Sequence, residues 1–246
     1  AAKAVIVFIN SGGGTTSGGE AMFEAIREIA KKKPVVSQFG TVAASAAYIT
    51  GLATDHIVAR GNTITGSVGV IFQYPEVSEL LGKLGVKVNE IKSGPLKATP
   101  SPFQPLDQNG RQITEQMVAE SQRWFVGLVA DRRKVKTAEI PGLEQGRVYS
   151  GRDALSHKLV DAIGGESEAR RWLEETKSVK KELDIVDWKP RRASDWSWFR
   201  VAASALGLIS GSRGEADDIM PAVLRDPRLR TLALDGLVSV WHPGEN

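Results

Sequence analysis

The sequence contains no cysteine. That removes disulfides, thiol nucleophiles and thiolate metal sites together, and it suits an oxidising compartment. Histidine is almost as scarce: His56, His157 and His242 are the only three. No stretch approaches the roughly 18 apolar residues that a membrane-spanning helix needs. No cluster of Lys and Arg interleaved with aromatics marks a nucleic-acid surface. With 32 Lys and Arg against 29 Asp and Glu, the net charge of +3 is too small to argue for a polyanionic partner. The one basic run, KKKP at 31–34, closes a helical pattern, where cations complement the macrodipole.

What is present is an ordinary globular composition, 41% hydrophobic and 25% charged over 246 residues, enough for one large domain plus an extension. The chain opens on KAVIVFI (3–9), an apolar, β-branched run that reads as a strand buried on both faces. It has no leading Met and no charged leader, and is expected to be the N-terminally truncated soluble part of a longer protein with any anchor upstream. A glycine-rich loop, NSGGGTTSGG, leads into a helix with Met22, Ile26 and Ile29 at helical spacing. PVVSQF is a second strand, after which Ser45 opens a short helix of small residues. HIVA and VGVIF read as strands flanking the loop RGNTITGS, followed by a helix through EVSELLGKLG, a strand VKVNEI, and the loop KSGPLKATPSPFQP. A long helix is predicted over about 107–134, with Ile113, Met117, Ser121, Phe125 and Leu128 on one face. Strands alternating with helices imply an α/β layered fold built on parallel pairing. The composition changes near 190: residues 190–246 hold seven Arg and seven Asp or Glu, leaving the basic excess in the core domain, 1–189. The apolar, aromatic stretch DWSWFRVAASALGLISG in this C-terminal extension suits a subunit or membrane-surface contact, or packing on its own domain.

Ser45, in GTVAASAAYITG, is either packing filler or a nucleophile whose base lies elsewhere. His56 follows Asp55 directly at the start of a strand, so the two point to opposite faces and form no orienting pair; His157 and His242 suggest no triad either. The other available base is a lysine, which must be neutral to accept a proton and so needs desolvation or nearby positive charge. Lys97 stands in a Gly- and Pro-rich loop with no carboxylate from 92 to 104, and reads either as such a base or as a solvated loop lysine.

Three ordered segments, FINSGGGTTSGGEAMFEAI, TVAASAAYITGLATDHIVARGNTITGSVGVI and IKSGPLKATPSPFQPL, resemble successive signatures of SppA-type signal peptide peptidases. GRVYSGRDALSHKLVDAIGG at 146–165 resembles that family's later signature, so the likeness spans about 3–175. The resemblance implies a Clp protease/crotonase-like fold of repeated β-β-α units and a serine–lysine protease. It implies that Ser45 is the nucleophile, that Lys97, 52 positions later, is the general base, and that Ser67 orients the lysine amine. Ser67 alone also reads as a turn serine in a Gly-rich loop. The oxyanion would be held by the N–H of Ala46, at a helix start, and by Gly14 or Gly13 in the glycine-rich loop, where backbone can approach a substrate closely. No metal or cofactor is implied. The expected substrates are signal-peptide remnants and other apolar peptides. The expected setting is a homo-oligomer with active sites shared between subunits, anchored upstream in a bacterial inner membrane with the catalytic domain on the periplasmic side.

This chain departs from the family pattern in having Gly12 for a proline and Ala46-Ala47 for two glycines after the nucleophile. The first loosens the oxyanion loop; the second keeps the N–H groups but narrows the neighbouring space. His56 replaces a lysine at a position with no catalytic role. These departures leave open a rival: a crotonase-like binder or membrane scaffold on the same fold, without proteolysis.

Overall fold

The computed structural model describes residues 2–188; the expected C-terminal extension lies outside the described residues. The unit that carries the site runs through Lys181, and 182–188 open a second unit without helix or strand. The first unit is an α/β structure, as the alternation of patterns predicts. Its elements are β1 (Val5–Ser11), α1 (Thr16–Ala30), β2 (Val35–Ala44), α2 (Ala46–Leu52), β3 (His56–Ala59), β4 (Ile64–Gly66), α3 (Ser78–Lys83), α4 (Gln108–Arg133), β5 (Val148–Ser150), α5 (Gly151–Ser156), β6 (Ala162–Ile163) and α6 (Glu166–Lys177). Single 3₁₀ turns at Thr137–Glu139 and Leu143–Gln145 follow α4.

The sheet is organised around β2. The strand order is β5-β4-β2-β3-β6, with β1 also paired to β2. β1 takes Val35 to Phe39 and then Ala43, while β3 takes Val36 to Gln38 and β4 takes Val42 to Ala44. Because β1 overlaps both registers, β3 and β4 share the opposite edge of β2, one behind the other. All these pairings are parallel, and only β4–β5 is antiparallel. The β1–β2 ladder breaks at Asn10, where β2 carries two extra residues: Ile9 pairs with Phe39 but Ser11 with Ala43. Asn10 repairs the gap with its side chain, Oδ1 accepting from the Val42 N–H at 3.2 Å. Gly40 permits that approach, since a Cβ there would lie 2.9 Å from the Asn10 side chain.

The helices start where their caps dictate. Thr15 Oγ1 accepts from Gly18 N at the head of α1, and Asp107 Oδ1 accepts from Gly110 N at the head of α4. At the other end of α2, Arg132 of α4 donates to the Leu52 and Thr54 carbonyls and Arg27 of α1 donates to the Ala53 carbonyl. Two cations thus meet the orphan carbonyls of a helix C-terminus. The main core gathers Phe39, Tyr48, Ile49, Leu52, Phe125 and Leu143 between the sheet and the helices. Tyr48 is fully buried; its hydroxyl donates to the Leu159 carbonyl at 2.7 Å, and burial raises the phenol above its ordinary pKa.

Several sequence expectations are corrected. VGVIF and VKVNEI form no strand, because neither has a partner edge among the described residues. The loop read at RGNTITGS instead contributes β4, three residues held by ladders on both sides. β1 is an edge strand, with Phe8 62% exposed, so it is not buried on both faces. On α1, Ile26 is buried while Met22 and Ile29 face out, and on α4 Met117 faces out while Phe125 and Val129 carry the contact.

Candidate active site

β2 runs straight into α2 through a single residue, Ser45. It takes φ 55° and ψ −127°, a conformation that a non-glycine residue rarely adopts. A tight strand-to-helix turn with the serine at its apex is how a nucleophile is pushed clear of its own backbone. The turn is held from outside: Ser45 N donates to the Gly66 carbonyl of β4 at 2.9 Å, and the Ser45 carbonyl accepts from Tyr48 and Ile49 N–H. The Ser45 side chain makes no hydrogen bond among the described residues, and the residue keeps 8% of its surface exposed, facing a pocket.

That pocket has a volume of about 390 Å³ and is lined by Gly14, Ser45, Ser67, Val70, Val118 and Gln122, among others. The loop after β1 crosses directly over the serine. Gly13 has φ 131°, and a Cβ there would stand 2.8 Å from the Ser45 Cβ, so both conformation and space demand glycine. Gly14 follows, with open space on the side a Cβ would take. Ala46 is the first residue of α2, so its N–H has no acceptor one turn earlier. Free N–H groups from a glycine loop and a helix start, on either side of a serine, are what an oxyanion requires.

Ser67 follows β4 and lines the same pocket, again with positive φ, 51°. Its N–H donates to the Arg147 carbonyl at 2.9 Å. Of the residues singled out from sequence, Ser45, Ser67, Gly13, Gly14 and Ala46 therefore gather in one place. Lys97 does not join them: it is exposed on the segment between α3 and α4, outside the pocket lining, and its side chain has no hydrogen bond or ion pair among the described residues. In the same segment Glu90 forms an ion pair with Lys92 and accepts from Ser101 Oγ at 3.1 Å.

His56 is remote from this chemistry. It stacks on Trp172 of α6 at 4.6 Å and lies 3.8 Å from Asp161, and burial lowers its pKa. Sequence reading missed Gln122. Its signal was a polar residue at the spacing 122, 125, 129 that otherwise carries the buried side of α4. No group of three or more His, Cys, Asp or Glu among the described residues is placed to hold a metal ion. No helix among them is long and apolar enough to cross a membrane.

The sequence profile of Peptidase family S49 matches residues 27–180. A candidate protease of Methanocaldococcus jannaschii is 35% identical over 186 residues, covering 76% of this chain and 60% of its own length. Protease 4 of Haemophilus influenzae is 31% identical over 76% of this chain and 30% of its own length. The chloroplastic serine protease SPPA of Arabidopsis thaliana is 32% identical over 88% of this chain and 33% of its own length. The chain thus spans between about a third and three fifths of these relatives. Among solved structures, a ClpP1 mutant from Listeria monocytogenes is 17% identical, covering 68% of this chain and 78% of its own, with a TM-score of 0.42.

Proposed function

The chain belongs to peptidase family S49, and from that premise we propose that it is a serine endopeptidase with Ser45 as nucleophile and the Lys97 amine of a neighbouring copy as general base. The observation that carries the reading is Ser45 itself, held at a positive φ between a strand and a helix, beneath a glycine loop and beside a second serine. In the reaction, Ser45 Oγ attacks the peptide carbonyl carbon and its proton passes to the neutral lysine amine. The N–H groups of Ala46 and Gly14 take the oxyanion. The C–N bond breaks, the leaving amine receives the lysine's proton, and an ester remains on Ser45. Water then attacks that ester, giving its proton to the same amine, and the carboxyl product leaves with Ser45 restored.

Two features support a base from a second copy. Lys97 is exposed, with no hydrogen bond or ion pair from its side chain among the described residues. Its segment and the preceding α3 also present Leu80, Leu84, Val86, Ile91 and Leu96 to solvent, apolar side chains that a second copy would cover. Ser67, within the pocket, would accept from the incoming amine and orient it. The pocket walls at Val70, Ile71 and Val118 suit apolar side chains, consistent with signal-peptide remnants and similar peptides as substrates. We extend the proposal to a setting at the outer face of a bacterial inner membrane, where such remnants arise.

The test is intact-mass spectrometry after exposure to a fluorophosphonate. A single adduct on the wild type, absent from Ser45→Ala and Lys97→Ala, is the expected result. Mixing the two variants should restore a fraction of the adduct, because each supplies the group the other lacks. No adduct on a folded, oligomeric wild type would sink the peptidase reading and favour a non-proteolytic binder or scaffold.

A further inference from the structure

α4 passes behind the pocket, and Gln122 is where it touches the catalytic loops. Its Nε2 donates to the Val68 carbonyl at 3.2 Å and to the Glu144 carbonyl at 3.0 Å. Two carbonyl acceptors fix which end of the amide is which, since the flipped amide would set oxygen against oxygen. The Oε1 end is buried without a hydrogen-bond partner among the described residues. The unsatisfied acceptor costs stability, so what the amide contributes here is its pair of donor bonds, not packing.

The two carbonyls belong to the segments that hold Ser67. Val68 follows Ser67 directly, and Glu144 lies in the 3₁₀ turn that leads to Arg147, whose carbonyl receives the Ser67 N–H. Ser67 is at φ 51°, a conformation that persists only where its surroundings over-determine it. Gly66, just before it, accepts from Ser45 N. The backbone from Gly66 to Val68 is therefore pinned to the nucleophile on one side, to Arg147 in the middle and to α4 on the other.

We propose that Gln122 is a positioning residue for this site: by bonding the Val68 and Glu144 carbonyls together it fixes the Ser67 hydroxyl and the pocket wall against Ser45. The assignment rests on the reading of Ser45 as the nucleophile. It predicts a separation between folding and reactivity. Gln122→Met keeps the volume and removes the unsatisfied acceptor but also the donor to the Val68 and Glu144 carbonyls, effects of opposite sign, so the chain stays folded with its melting temperature lowered by only a few degrees. Its rate of fluorophosphonate labelling at Ser45, measured well below that temperature, falls roughly tenfold, the scale of one lost positioning bond. Gln122→Glu supplies a second, independent readout. Ionised, its carboxylate has no proton to donate and faces two carbonyl oxygens; protonated, it donates to one of them. The labelling rate of Gln122→Glu relative to wild type at the same pH therefore rises as pH falls.

A Gln122→Met chain that labels within twofold of wild type overturns the proposal. If that variant does not fold, the Gln122→Glu ratio decides, and a ratio independent of pH overturns it. A wild-type chain that takes no label overturns the nucleophile reading and this assignment with it, whereas a labelled wild type with equally labelled variants removes Gln122 alone.

Discussion

At Ser45, conformation and chemistry pull in opposite directions. A non-glycine residue held at φ 55° costs about 1–3 kcal/mol, and a glycine there would lose about 0.5–1 kcal/mol in extra unfolded-state freedom. The strain is the larger effect. Ser45→Gly is therefore expected to be about 1 kcal/mol more stable than Ser45→Ala in urea unfolding, though neither takes a fluorophosphonate label; equal stabilities would show that the turn is not strained. Gly13 carries the complementary demand. Gly13→Ala would force a Cβ to 2.8 Å from that of Ser45 at a φ of 131°, and labelling should fall at least ~100-fold, on the scale of losing one oxyanion donor. Normal labelling of that variant would place the oxyanion donors elsewhere. The glycine loop and the serine among alanines were visible in the sequence because both are unusual compositions. The sign of φ at Ser45 and Ser67 was not, since it is imposed by β4 and Arg147, distant in the chain.

Among the elements, the ladder decides what the apolar pattern leaves open. The helices α1 and α4 were legible from apolar spacing and α2 from its run of small residues, because an α-helix satisfies its own backbone. Strands depend on a neighbour, which is why VGVIF and VKVNEI, though apolar and β-branched, remain outside the sheet while the unpromising Ile-Thr-Gly of β4 joins it. The junction of β3, β6 and α4 is sealed by Asp161. Its carboxylate accepts from Ile57 N at 2.7 Å and from both ends of the Arg133 guanidinium, at 2.6 and 3.0 Å. The Arg133 side chain is 11% exposed and that of Asp161 28%, so Asp161→Ala leaves a largely covered cation and a strand N–H without their acceptor. The expected cost is about 2–3 kcal/mol in urea unfolding, somewhat below the range for fully buried pairs because Arg133 keeps its bond to the Lys158 carbonyl. A cost under about 0.5 kcal/mol, the scale of an exposed pair, would contradict this account.

Across the whole molecule, His56 links pH to stability. It sits between β2 and α6, against Trp172, near Asp161, Arg133 and Glu168, and burial holds its pKa below the ordinary value despite the two carboxylates. The unfolded chain therefore binds the proton first as pH falls, so stability declines from about pH 6.5 downward and levels off once the folded histidine is protonated too. His56→Phe keeps the stack on Trp172 and should lose less stability between about pH 7 and 5 than the wild type; parallel pH curves would remove His56 as the cause. What the sequence could not supply at this scale is that Lys97 lies outside the pocket holding Ser45, since their spacing in the chain does not encode where the segment between α3 and α4 lies.

The pairing of both edges of β2 at its C-terminal end has a further consequence. The glycine loop, Ser45 and Ser67 leave from the ends of three strands, β1, β2 and β4, that meet at the same few residues, Val42 to Ala44. In a machinist's terms they are cut from a common datum: an error in one carries to the others, and their spacing survives. That spacing is set by main-chain hydrogen bonds, which are indifferent to side-chain identity. The relative placement of these three segments therefore does not depend on which small side chains stand at Gly12, Ala46 and Ala47.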